Sequence, residues 1–184
     1  MVELNVRSSD LSMIVEKLSG VVDFESDLPS KVFFENELVY WFFERPLLAF
    51  VDMFSELVSK SISSYGSNVL IKFSGDKLLD DSCIVFDGCD TEGKVLIVSD
   101  RYVDFLGGKL GYPIIFFNEN HDWVAFESAH EEFGVIAVRK ADLPKEFSEY
   151  LECNFISAKT LEGLALSSTA VGVIAKAFQK AYSG

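Results

Sequence analysis

The chain has 184 residues, 49% of them hydrophobic and 24% charged, with 17 phenylalanines; that length suits one domain over 1–184 and the composition excludes a disordered chain. Sixteen basic against 29 acidic side chains leave a formal net charge of −13, which repels a phosphate backbone and an anionic lipid surface and argues against nucleic acid or membrane as partner. No apolar run approaches the roughly 20 residues that span a bilayer, and the start MVELNVRSSD lacks the order of an export signal, so a cytoplasmic protein is expected.

Ser8, Ser9 and Asp10 precede a run in which Leu11, Ile14, Val15 and Leu18 recur at helical spacing before Gly20, which predicts a short first helix. KVFFENELVYWFF (31–43) is rich in β-branched and aromatic residues around a Glu-Asn turn and reads as two strands or as a strand entering a helix. Pro46 then suits the first position of a helix over 47–64, with Leu47, Phe50, Val51, Phe54, Leu57, Val58 and Ile62 on one face and Gly66 beyond its end.

From residue 68 the period changes. NVLIKF (68–73), CIVFDG (83–88) and KVLIVSD (94–100) are short apolar runs bounded by turn residues, the pattern of strands. Asp100 is suited to cap one or two helical turns over DRYVDFLGGK (100–109). YPIIFFN (112–118), DWVAFES (122–128) and FGVIAVR (133–139) follow as strands whose short connections favour antiparallel pairing. A helix over Ala141 to Leu151, an extended FISA (155–158) and one long helix over 160–184 complete the chain. The sum is an α+β fold: a mainly antiparallel sheet of about five or six strands with helices packed on one face.

The segment NENHDWVAFESAHEEFG (118–134) holds both histidines, His121 and His130, with five carboxylates and no lysine or arginine. If Trp123 to Glu127 is a strand, Trp123, Ala125 and Glu127 point one way and Val124 and Phe126 the other. The histidines then sit beyond opposite ends of that strand, roughly 30 Å apart and too far for one metal ion unless the loop folds sharply. No helical His-x-x-x-His or Glu-x-x-His spacing is evident, since Glu127 and His130 run out of a strand into a loop, so no metal or cofactor is expected. The serines lie outside any Gly-x-Ser-x-Gly elbow, the glycines outside any phosphate-loop spacing, and DGCDTEG (87–93) lacks the ligand series of a calcium loop. Cys83, Cys89 and Cys153 match no zinc or redox motif; reduced thiols are the simplest account and a Cys83–Cys89 disulfide the alternative.

What stands out is clustered acid. Residues 76–92 carry six acids and one lysine, 118–132 five acids and neither lysine nor arginine, and 23–44 six acids and one lysine, whereas 157–184 has three lysines and one glutamate. Loops joining strands are where a rigid sheet commonly presents binding residues. Glu119, Asp122, Glu127, Glu131 and Glu132, with Asp80, Asp81, Asp87 and Asp90, are therefore candidates to dock against a basic protein surface, set against a merely solvated rim.

The stretch DWVAFESAHEEFGVIAVRK (122–140) resembles small bacterial immunity proteins of polymorphic toxin systems, including contact-dependent growth inhibition, in its tryptophan, aliphatic, aromatic, glutamate strand followed by an aliphatic strand. The resemblance covers about 20 residues. It implies a non-enzymatic cytosolic protein that binds and neutralises a cognate, nuclease-like toxin domain. Two other readings stand beside it: a small hydrolase or other acid/base enzyme using His121 or His130 with Glu127 or Asp122, and an assembly subunit with an exposed C-terminal helix.

Overall fold

Residues 5–100, 108 and 110–183 are described by the structure, a computed structural model. Among the described residues, seven strands form one antiparallel sheet. In chain order they are β1 (Leu38–Glu44), β2 (Val69–Lys72), β3 (Cys83–Phe86), β4 (Ile114–Asn118), β5 (Trp123–Glu127), β6 (Phe133–Arg139) and the two-residue β7 (Ile156–Ser157). Their spatial order is β3-β2-β4-β5-β6-β1-β7. The meander β4-β5-β6 follows from the short connections anticipated above, and β1 adds to it through seven residue pairs from Leu38–Arg139 to Glu44–Phe133.

The α+β antiparallel architecture is as expected, but the helices cover both faces rather than one. Against one face lie α2 (Val51–Tyr65), α3 (Thr91–Asp100) and α4 (Lys145–Asn154), burying Phe54, Leu57, Val95, Phe147 and Leu151 on Trp41, Ile71, Phe116 and Trp123. Against the other lie α1 (Ser8–Ser19), α5 (Ala158–Ala165) and α6 (Ala170–Tyr182), burying Leu11, Leu18, Leu161 and Phe178 on Phe42, Ile115, Phe126 and Val135. The reason is in the strands: IIFFN and WVAFE are buried at every position, and a strand apolar on both faces needs cover on both. Each fully buried phenylalanine contributes about 1.5–3 kcal/mol, and edge-to-face contacts among Phe42, Phe133, Phe178 and Tyr182 knit α6 to the sheet.

Three further expectations are corrected. KVLIVSD is not a strand but most of α3, which buries Lys94, Val95 and Val98 and leaves Leu96 and Ile97 exposed. Pro46 precedes a single 3-10 turn, Leu47–Ala49, and α2 begins at Val51. The C-terminal helix is two helices: Ser157 caps α5 by accepting from the Thr160 amide, and Thr169 caps α6 by accepting from the Gly172 amide. The KVFFENELVYWFF segment resolves into an isolated bridge, Phe33 to Val22, followed by β1. The turn expected over DRYVDFLGGK falls largely on 101–107 and 109, outside the described residues.

Candidate functional site

Strand β5 alternates as anticipated: Trp123 and Ala125 pack with α2 and α4, Val124 and Phe126 with the opposite layer. Its parity settles the place of Glu127. That side chain shares the inward face of Trp123 and is only 1% exposed, so it belongs to the interior and not to the acidic rim. Its Oε2 accepts from the Leu47 amide at 2.9 Å, which ties β5 to the turn after Pro46. Burial pushes the carboxyl up to about 7, against the opposing pulls of the Leu47 amide, the Tyr112 hydroxyl and the Arg45 guanidinium.

The histidines lie apart, as strand geometry required. His121 closes the β4–β5 turn in the left-handed region at φ 56° and stacks on Phe117 with ring centroids 5.3 Å apart. The turn is held by Asn118, wholly buried, whose Oδ1 accepts from the Asp122 amide at 2.8 Å and whose Nδ2 donates to Asp122 Oδ2 at 2.6 Å. His130 is exposed beyond the other end of β5, and its amide donates to Ser128 Oγ at 3.1 Å. The two rings line different clefts. Among the described residues, no group of three histidine, cysteine or carboxylate side chains could hold a metal ion. Cys83 is buried, with its thiol pushed up to about 12 by burial, while Cys89 and Cys153 are exposed; all three are free.

Register divides the other eight candidate carboxylates between two ends of the sheet. Val69 pairs with both Phe86 and Asn118, so Asp87, Asp90, Glu119 and Asp122 gather at that end. Lys72 pairs with Cys83 and Ile115, Ile114 with Glu127, and Glu44 with Phe133, which sends Asp80, Asp81, Glu131 and Glu132 to the opposite end.

The two ends differ electrostatically. At the Asn118 end the acid is largely internally partnered: Asp87 pairs with Lys94 at 2.5 Å, Glu119 accepts from Asn68, and Glu35 takes Arg139 in a fork at 2.6–3.2 Å. The hydrogen bond from Lys94 holds Asp87 below its usual carboxylate range. At the opposite end Asp80 and Asp81 secure the start of the chain, accepting from Ser8 Oγ at 2.9 Å and Asn5 Nδ2 at 2.8 Å.

Glu131 and Glu132 make no such commitment. Neither forms an ion pair among the described residues, and burial and then the negative Asp27 push the Glu131 carboxyl above its usual range. Arg45, the cation acting on Glu131, donates through Nε to the Glu131 carbonyl and lies over the Tyr112 ring at 5.7 Å. Beside them a cleft of about 420 Å³ is bordered by Glu44, Arg45, Glu132, Phe133 and Val171, and Val171 is 40% exposed. Carboxylates without an ion pair, beside a partly exposed valine, are suited to contact with a cationic protein face. Asp27, Glu44 and Arg45 are absent from the sequence-derived candidates; the acid count over 23–44 was the signal that pointed to the first two.

Among the described residues no helix is long and apolar enough to cross a membrane. Compared with protein-family models, curated proteins and solved structures, the chain has no match.

Proposed function

We propose that the chain is a protein-binding inhibitor of the immunity type, which neutralises a nuclease-like toxin domain in the cytoplasm by seating its basic face on Glu44, Glu131, Glu132 and Asp27. The observation that carries this reading is the carboxylate cluster around Glu131, which folding leaves without an ion-paired cation beside a cleft bordered by Glu44, Glu132 and Val171. Uncompensated like charge is an energetic burden in the free protein that a cationic partner relieves on binding. The partnered acid at the Asn118 end lacks that driving force.

Isothermal calorimetry of the chain against the product of a toxin gene encoded beside it is the test. Saturable binding is expected, weakening as salt rises through the range where the Debye length drops below about 10 Å. Glu131→Lys with Glu132→Lys should weaken it tenfold or more, about 1.4 kcal/mol, while Asp87→Lys leaves it within twofold. No saturable binding, or equal losses at both ends of the sheet, would remove the proposal.

A further inference from the structure

A second cleft, of about 400 Å³, opens between α1 and the β3-β2-β4 corner of the sheet. Its size falls in the roughly 300–1,000 Å³ range of small-molecule sites. The floor is a cross-strand row in which Leu70 pairs with Val85 on one side and Phe117 on the other. His121 continues that row, its ring parallel to Phe117 within 4°. The His121 Nε2 is enclosed by protein and has no hydrogen-bond partner among the described residues, so the ring borders the cleft through its other atoms. On the facing wall Met13 is 52% exposed although it borders this apolar floor, and a flexible thioether there can close over ligands of varied shape.

Charge selects the class of ligand. In a chain of net charge −13, this cleft is bordered by Arg7 and Lys17, and neither forms an ion pair among the described residues. Two carboxylates share its border, Glu119, which accepts from the Asn68 amide and side chain at 3.3 and 3.0 Å, and Asp10, which accepts from Ser9 Oγ at 3.4 Å; both keep their charge, so the cations outweigh the acids only locally, at the His121 ring. The charges acting most strongly on the His121 ring are Arg139 and Lys17, ahead of Asp122 and Glu35. A neutral imidazole in that field can donate one hydrogen bond to an anion.

We infer that this cleft is a binding site for a small monocarboxylate with an apolar chain or ring. The hydrocarbon rests on Leu70, Val85 and Phe117 beneath Met13 and Ile14, and the carboxylate lies between Lys17 and the His121 ring. The site is independent of the carboxylate rim, since Glu131 and Glu132 lie at the opposite end of the sheet.

The probe is sodium decanoate, titrated into the full chain and followed by calorimetry and by the histidine ring signals in NMR, with His130→Gln assigning the two rings. Saturable 1:1 binding is expected, with the His121 signals shifting and those of His130 fixed. Lys17 is exposed, so Lys17→Glu keeps the fold, checked by circular dichroism, and should weaken binding fivefold or more; Met13→Asp should do the same. Decylammonium, equal in chain length and opposite in charge, should bind at least fivefold more weakly than decanoate. Absence of saturable binding, a loss under fivefold in Lys17→Glu, decylammonium binding as tightly as decanoate, or shifts at His130 instead would each overturn the assignment.

Discussion

Replacing Glu127 by glutamine should make the protein more stable above neutral pH and leave it nearly unchanged in acid. The carboxyl stands at about 7 in the folded chain against an ordinary value of 4.5, chiefly because it is buried. Between those values the folded state binds more protons than the unfolded state, so stability falls as pH rises through the window from about 4.5 to 7. A separation of about 2.5 pH units at about 1.4 kcal/mol each amounts to about 3 kcal/mol lost by pH 8. Glutamine keeps an oxygen to accept from the Leu47 amide, the bond that Glu127 makes at 2.9 Å, and has no charge to desolvate. Urea unfolding of both proteins between pH 5 and 8.5, followed through the buried Trp41 and Trp123, should show curves that converge in acid and separate by about 3 kcal/mol at pH 8. At about 2–4 °C per kcal/mol for a domain of this size, melting temperatures should separate by about 6–12 °C. His121, whose pKa is lowered mainly by burial, contributes an opposite slope, stability rising with pH, but it is present in both proteins and cancels in the difference. A gap that stays constant across the pH range would refute the reasoning, because the carboxylate would then not be the charged, desolvated group described.

Two packing predictions accompany it. A Cβ on Gly134 would lie 2.1 Å from Phe43 Cζ, so Gly134→Ala should cost about 1–3 kcal/mol by overpacking, and adding Phe43→Leu should recover much of it; matching urea midpoints for wild type and Gly134→Ala would show that Phe43 swings aside freely. Trp123→Phe deletes the Nε1 donor to the wholly buried Ser61 hydroxyl at 2.7 Å. It should cost about 1–3 kcal/mol, most of it restored by Ser61→Ala in the same chain, and a purely additive pair would show that the bond contributes nothing.

The alternation in DWVAFE was legible, and it already placed Glu127 on the face of Trp123 and Ala125. What the sequence could not show is that this face is covered, because cover comes from α2 and α4, whose residues lie far away along the chain. KVLIVSD misled for a related reason. Four apolar residues in a row fit a strand or a short helix equally, and the choice was made by docking of Val95 and Val98 under α2 and by the Lys94–Asp87 ion pair. The Asp90-Thr91-Glu92 start, with Glu92 in the first turn, also favours a helix, a signal the strand expectation did not use. The division of the acid between two ends is a property of register, which links β2 to β3 and β4 and has no expression in local composition.

A sheet sealed on both sides separates durability from recognition. Core strands such as IIFFN and WVAFE tolerate little change, since each position contacts a neighbour. The connecting segments 23–31 and 128–132 lie outside the strands and carry Asp27, Glu131 and Glu132. Leu28 and Ser128 within them are buried, but mutation can exchange the exposed charges for others at little cost to folding. Under the proposed function, such a scaffold can change what it recognises while its architecture stays still, so loop divergence between relatives, rather than overall similarity, would track a change of partner.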